Sequence, residues 1–484
     1  MRNLTGNLNN SLMLRFFNSM ALFFLCYGTP LFAMSESVGC NDTFVTLSGE
    51  ELVIDVTPTG SDDTVNMQCA LDAAVADGIP VVRLSAGTFF ISSLSVEGFK
   101  GTLEGKTKIS SIISVLDNSV DCVAMADSGR TPSVIKFIKG EPRIRFLTLT
   151  ADHPCMGASR ISNFLHFTGG SANAADCTND VIFAAVDRII LEGTDATSGP
   201  FVGISVWPEG DQFGGCKVTL LGTFKLNRSE ISNTLFGLMT TMKSGAQVDV
   251  NFNEFHDNQI AVYLLNTNQN TTVTANKFFS TATFSALYNG VSIATLSASA
   301  PTSTRVVVHN NEFNVSTSNG GTSVSIVGVQ DPVRTNVSSV ITNNTFNLVG
   351  TKPWGVFFGD ISNTHVSANR FNGSGFGAVF VSGSTPVSGW TITANTGLAS
   401  FESAIGDDIS LGETTSRCIV GPGQGATVGD QGTNNSKLTA GKALPTVLKS
   451  ATGLDSVQGS DEDLIRMDVY RKIRDATDML YTHF

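Results

Sequence analysis

A short phrase, Asn followed two places later by Phe, returns through the second half of the sequence and limits what the chain can fold into. It reads Asn253-Glu-Phe255, Asn276-Lys-Phe278, Asn311-Glu-Phe313, Asn344-Thr-Phe346 and Asn369-Arg-Phe371, at intervals of 23, 35, 33 and 25 residues. A last copy, Asn395-Thr-Gly397, follows after 26 residues and lacks the Phe. A short alternating apolar run precedes each Asn, such as Val306-Val-Val308 or Thr391-Ile-Thr393, and a small residue and a second apolar run follow it. A unit of this length cannot bury its own apolar face, so the copies must stack. Asn tolerates the left-handed backbone of a sharp corner, and its amide both donates and accepts, so stacked copies can bond one to the next. The Phe points inward and stacks with its own copies. The phrase is therefore read as scaffold, not as ligand machinery.

A chain of 484 residues has room for several average domains, but a repeat through its middle argues for one elongated domain. Only 15% of residues are charged, with 47 Gly and 32 Phe against 5 Tyr and 3 Trp, which suits many short strands around a Phe-rich interior. The net charge of −12 opposes nucleic acid and anionic membranes as partners. It also disfavours an acidic polysaccharide unless Ca²⁺ or a local basic patch bridges the two.

At the N-terminus, Arg2 and Arg15 precede the apolar run Met20–Cys26, followed by Gly28, Pro30 and the small-x-small stretch Ala33-Met-Ser35. The run is far shorter than the ~20 residues of a membrane span, so 1–35 is read as a secretory signal peptide, and no later segment reads as a span. Cleavage leaves Cys40, Cys69, Cys122, Cys155, Cys177, Cys216 and Cys418, an odd set suited to disulfides in an oxidising compartment, with one thiol over. None has zinc-site spacing.

Asp62 or Asp63 is placed to cap a helix whose Val65, Cys69, Ala73 and Ala76 share a face and which stops at Gly78. A strand Val81–Leu84 follows, then Ala86-Gly-Thr-Phe89. These residues, together with the Asn-x-Phe copies, resemble the opening and the Asn ladder of pectate lyase-like right-handed parallel β-helix proteins, over roughly 50–420. The resemblance implies an all-β right-handed parallel β-helix solenoid at 36–420, its first coil capped by the helix. Residues 421–484 form a separate C-terminal part: a Gly/Ser/Thr/Asn-rich loop segment, then an amphipathic helix opened by Ser460-Asp-Glu-Asp463 with Ile465, Val469, Ile473, Ala476 and Leu480 on one face. Sequons at Asn270, Asn314, Asn336, Asn343 and Asn372 are explained by turn chemistry.

The resemblance also implies a groove on one outer strand face, where lyases of the superfamily combine acids, often with Ca²⁺, and an Arg or Lys base, while hydrolases use neighbouring Asp residues. Aligning the strand by its small residue gives Gly203, Gly237, Ala261, Gly290, Ser323, Gly355 and Gly377, with Ser205, Met239, Tyr263, Ser292, Ser325, Phe357 and Val379 pointing outward. That row holds no charge. The earlier coils offer more: Trp207, Glu209 and Asp211, with Lys243 set to reach Glu209 from the next coil. This gives a candidate site of Glu209, Asp211 and Lys243 as acid–base groups beside an exposed Trp207 that would stack on a sugar ring. As a surface ion pair, the same residues would contribute little. His166, in the apolar run Phe164–Phe167, is read as a satisfied core or edge residue. The sequence carries no Gly-His-Gly of polygalacturonases, no Trp-x-Asp-His of pectate lyases and no Asp-Pro-His-Glu of alginate epimerases. Two functions follow: a secreted or periplasmic polysaccharide lyase, hydrolase or epimerase on a uronate-type polymer, or a non-catalytic surface β-helix, adhesin-like or carbohydrate-binding, with a polysaccharide or cell-surface glycan as its partner.

Overall fold

A computed structural model describes residues 40–48, 52–116, 132–151, 162–169, 181–193, 201–207, 220–242, 245–265, 270–280, 288–294, 304–316, 321–327, 337–359, 363–382, 386–422 and 425–438. The segments read as a signal peptide and as a C-terminal amphipathic helix, together with Cys122, Cys155, Cys177 and Cys216, lie outside these residues. The unit from Asn41 onward is built on three long sheets of 15, 11 and 12 strands. Each coil gives one short strand to each sheet in turn; Gln247–Asn251, Glu254–His256 and Ile260–Leu265 are one such set. Strands pair in parallel with their counterparts in the coils before and after. Among the described residues one pair is antiparallel, Val45–Ser48 with Val53–Val56, and it precedes the first coil. This is a right-handed parallel β-helix. Coiling continues past 420, since Val428–Asp430 and Ser436–Lys437 add a further strand to two of the sheets.

The Asn-x-Phe phrase explains the stack, with one correction. The left-handed corner residue is the one before the repeated Asn: Phe252, Ala275, Asn310, Asn343, Ala368 and Ala394, at φ 55–58°. The Asn itself fills the next slot, where it is buried. Its Oδ1 accepts the N–H and the Nδ2 of the Asn one coil earlier, at 2.8–3.0 Å along the whole series from Asn253 to Asn395. Its Nδ2 also donates to a strand carbonyl of the preceding coil, as Asn311 does to Val273 at 2.8 Å. Ser229 opens the ladder by donating its N–H to Asn253. Cys418, just after the left-handed Arg417, holds the same slot near the far end; it is free, buried, and its thiol is pushed up to about 11, mainly by burial. Cys40 and Cys69 are each disulfide-bonded.

Beside the ladder, Phe255, Phe278, Phe313, Phe346 and Phe371 stack face to face, with centroids 4.7–5.2 Å apart and planes within 12°. That spacing matches the strand separation of about 4.8 Å, so each ring rises in step with its coil. The stack also explains the small residues of the facing strands. A Cβ on Gly290 would lie 2.8 Å from the Phe313 ring and 2.6 Å from the Ser323 carbonyl. The last member of that row is Ala378 rather than Gly377, because Trp354 pairs with Gly377 and Phe357 with Phe380. The outward residue there is accordingly Phe380, not Val379.

Two local readings also change. The helix is Thr64–Asp77 and ends at left-handed Gly78, but it buries Met67, Ala70, Leu71 and Ala74 while Val65 stays 72% exposed. Of the two acids placed to cap it, Asp62 accepts the N–H of the first helical residue, Thr64, at 2.9 Å, while the Asp63 carboxylate accepts the N–H groups of Thr59 and Phe90 and ties the helix start to a strand. Sequon residues Asn314 and Asn372 lie in strands, not turns, and flank Asn347 in a second ladder on the outer face of the eleven-stranded sheet, with amide bonds of 2.6 and 2.7 Å.

On that same outer face His256 lies 3.4 Å from Asp257 and 3.5 Å from Glu230, stacked on Phe279. The hydrogen bond to Asp257 holds the imidazole above its ordinary 6.5, with burial opposing and Glu230 assisting. A raised pKa means that the fold binds the proton more tightly than the unfolded chain. The stabilisation is therefore complete below 6.5 and disappears as pH rises through the folded value. Replacing His256 by Gln should lower the melting temperature at pH 5.5 and leave it unchanged at pH 8.5. The loss should stay within the about 0–1 kcal/mol of solvent-screened pairs, because the Glu230 side chain is 41% exposed.

Candidate functional site

The outer face of the twelve-stranded sheet carries the aligned groove row, and pairing extends that row in both directions. It runs Ser95, Lys136, His166, Ser205, Met239, Tyr263, Ser292, Ser325, Phe357, Phe380 and Ser410. A parallel row on the same face includes Ser133, Asn163, Val202, Phe236, Ile260, Asn289, Thr322 and Trp354. The two rows lie three residues apart on each strand, and both face outward because the two residues between them turn inward. Between Trp354 and Phe357, Gly355 turns toward the Phe371 ring and the fully buried Val356 lies beside it.

The early coils form a polar head. Lys136 and His166 are ladder neighbours and both are buried. His166 Nε2 is 3.2 Å from the Trp207 carbonyl and therefore donates to it, and Nδ1 is hydrogen-bonded with Ser133 Oγ, also at 3.2 Å. Both ring nitrogens are engaged, as expected of a satisfied histidine. Asn163 is fully buried; its Nδ2 donates to the Pro132 carbonyl at 3.2 Å, and its Oδ1 has no hydrogen-bond partner among the described residues.

The residues chosen from the sequence fare differently. Glu209, Asp211 and Lys243 lie outside the described residues. Trp207 is described, and it is not exposed: 4% of it is accessible, and it packs with Val202 and Met239, against which Phe236 and Tyr263 rest. A ring so enclosed cannot serve as an open platform for a sugar. Sequence reasoning missed Lys136 and Asn163. The signal was present, since Ile135-Lys-Phe137 and Leu165-His-Phe167 align in register and Phe137 stacks on Phe167 at 5.7 Å.

Farther along, the row changes character. Phe236 and Tyr263 stack at 5.0 Å and are half-buried, and desolvation raises the Tyr263 phenol above its ordinary 10.0. Ser292 and Ser325 follow, their hydroxyls bonded at 3.0 Å. Then comes a second aromatic group, in which Trp354 meets Phe376, Phe380 and Phe357 at 4.4, 4.8 and 5.6 Å. All four of these rings are half-buried. From Ser205 to Ser410 the row contains no charged residue. Among the described residues no group of three or more His, Cys, Asp or Glu side chains is arranged to hold a metal ion, and no helix is long and apolar enough to cross a membrane.

These features define the class as a right-handed parallel β-helix with an aromatic and hydroxyl-bearing outer face, the architecture implied by the pectate lyase-like resemblance. No family model and no curated protein matches the chain. Among solved structures it is similar to the Dettilon tailspike protein, at 12% identity and TM-score 0.48, covering 79% of this chain and 66% of the tailspike. It is also similar to the A-module of the Azotobacter vinelandii mannuronan C-5 epimerase AlgE6, at 13% identity and TM-score 0.38, over 78% and 93% of the two chains. PfbA, a surface adhesin of Streptococcus pneumoniae, is similar at 12% identity and TM-score 0.39, over 81% and 92%.

Proposed function

We propose that this protein is a secreted glycan-binding β-helix that lays an uncharged stretch of polysaccharide along the outer face of its twelve-stranded sheet. One observation carries the reading: two half-buried aromatic groups, Phe236–Tyr263 and Trp354–Phe357–Phe376–Phe380, flank a pair of serine hydroxyls in a row free of charge. Aromatic faces accept the apolar C–H faces of sugar rings, and the buried Ser292 and Ser325, bonded to each other, form an uncharged floor between them. Ser292 and Ser325 are the two intervening rows, so Tyr263 and Phe357 stand three coil steps apart, about 14 Å at the usual strand spacing. Such a span suits an oligosaccharide rather than a single sugar. Secretion is supported by the N-terminal sequence and by the disulfide-bonded state of Cys40 and Cys69, since disulfides persist in oxidising compartments.

The test is affinity electrophoresis against a panel of neutral polysaccharides, with Tyr263→Ala and Trp354→Ala. Retardation by at least one polymer, weakened about tenfold or more by each substitution as for loss of a binding anchor, is the expected result. Retardation unchanged by both substitutions would reject the strip as the site.

A second reading, a polysaccharide-cleaving enzyme, is favoured by the burial of Lys136 beside His166 at the head of the same face. It keeps Glu209, Asp211 and Lys243 as acid–base groups, because His166 has both ring nitrogens engaged. Assaying released reducing ends and unsaturated products, with and without Ca²⁺, separates the readings; release abolished by Glu209→Gln or Lys243→Ala would favour the enzyme.

A further inference from the structure

The fifteen-stranded sheet presents a different surface. Its outward rows place Arg143, Ala185, Lys225 and Asp249 on successive coils, and beside them Arg145, Asp187 and Asn227. The corners after these rows are Phe146, Arg188 and Arg228, all left-handed, at φ 57°, 54° and 49°. A bulky side chain in that backbone region is costly, at about 1–2 kcal/mol per residue. Later coils put Ala or Asn at four successive corners, Ala275, Asn310, Asn343 and Ala368. The early coils place arginine at two successive corners, Arg188 and Arg228, and both side chains are exposed.

The arginines are also held in position. The guanidinium groups of Arg145 and Arg188 lie over the Phe146 ring at 5.4 and 5.2 Å. Arg145 bonds Glu104 at 2.7 Å, and Asp187 lies between Arg188 and Arg228 at 3.7 and 3.5 Å. Arg143, Arg145, Arg188, Lys225 and Arg228 are exposed, while Glu104 is buried, Asp187 is half-buried, and Asp249 accepts two hydrogen bonds from Gln247. Five exposed cations thus stand over three carboxylates engaged beneath or beside them, in a chain whose net charge is −12.

We infer that this face binds an anionic polysaccharide, carboxylated or sulfated, lying along the coil axis. Guanidinium forks match the geometry of carboxylates and sulfates. The five cations lie on three successive coils, about 10 Å of the coil axis at the usual strand spacing, and the acidic remainder of the protein repels a polymer as densely charged as duplex DNA. The surface shares no residue with the aromatic strip, so the two proposals fail separately.

The experiment measures binding of the full chain to sodium alginate and to dextran sulfate, with unmodified dextran as the neutral control and duplex DNA as a competitor. Alginate or dextran sulfate binding should fall at least tenfold between 50 and 200 mM NaCl, as expected for several ionic contacts. Arg188→Asn/Arg228→Asn should weaken it at least tenfold without lowering the melting temperature, because Asn suits the left-handed corner. Arg143→Gln/Lys225→Gln, away from any corner, should weaken it similarly. The inference is overturned if the wild-type chain retains neither polyanion, if both double variants bind as wild type, or if duplex DNA displaces the polysaccharides at lower charge concentration than they displace it.

Discussion

Replacing Asn311 by Ala is expected to lower the stability of the coil by about 3–4 kcal/mol, through the buried groups it leaves without partners. Asn311 is 2% exposed and joins three coils. Its Oδ1 accepts the N–H of Asn276 at 2.9 Å and the Nδ2 of Asn276 at 3.0 Å. Its Nδ2 donates to the Val273 carbonyl at 2.8 Å and to Asn344 Oδ1 at 3.0 Å. Truncation takes an acceptor from the Asn276 N–H and a donor from Val273, both in a site too dry for water to replace them, and each such loss costs about 1–3 kcal/mol. Asn311→Asp should do no better, since it keeps the acceptor but turns a second oxygen toward the Val273 carbonyl. The internal control is Asn310→Ala. That residue holds the left-handed corner but Ala275 and Ala368 hold the same corner elsewhere, so the change should cost no more than about 1 kcal/mol. Guanidinium unfolding midpoints compare the three variants, and hydrogen exchange at Asn276 reports whether the loss is local to the coil. Equal losses at positions 310 and 311 would refute the division of labour between corner and ladder.

That division marks how far the sequence could be read. The period of the Asn-x-Phe phrase was visible because every copy of the ladder slot needs a side chain that both donates and accepts at the same depth. The corner was assigned one residue too late, because its tolerance is broad: Phe252, Ala275 and Asn310 all fill it, so composition carries no signal there. The groove row slipped at its end for a related reason. Gly377 and Ala378 are adjacent small residues, and only the pairing of Trp354 with Gly377 decides which of them faces the Phe stack. The same dependence on pairing hid Lys136. The row was traced by its small member, and the two earlier coils carry Val134 and Phe164 there instead.

Burial was harder to read than register. Trp207 follows a strand and precedes Pro208 and Glu209, a context that suggests an exposed loop. It is enclosed because Val202 and Met239 on neighbouring coils provide an apolar bed on the outer face. The helix Thr64–Asp77 shows a similar effect. Its alanines lie on several sides, so the buried face is chosen by the strands it meets, not by its own pattern. The local basic patch that an acidic polysaccharide would need was likewise not legible before the corners were placed. Arg188 and Arg228 are 40 residues apart in sequence yet lie on adjacent coils, either side of Asp187.

The aromatic stack tests whether the same period also carries most of the packing energy. Phe313 is fully buried, with Phe278 at 4.7 Å on one side and Phe346 at 5.0 Å on the other. Its edge meets the backbone of Gly290, where no Cβ could fit. Phe313→Ala removes both ring contacts and opens a cavity lined by rings whose spacing is fixed by the strand ladder, so the neighbours cannot close in. The loss should be at the upper end of the about 3–5 kcal/mol seen for buried Phe→Ala. Phe313→Leu refills part of the volume and should recover roughly half. Gly290→Ala approaches the same contact from the other side. It adds one methyl against Phe313 and the Ser323 carbonyl, and should cost about 1–3 kcal/mol by overpacking. Combining Gly290→Ala with Phe313→Ala should then cost less than the sum of the two, since the methyl enters the space the ring has left. Additive losses would mean that the small-residue row is set by the strand backbone and not by the Phe stack.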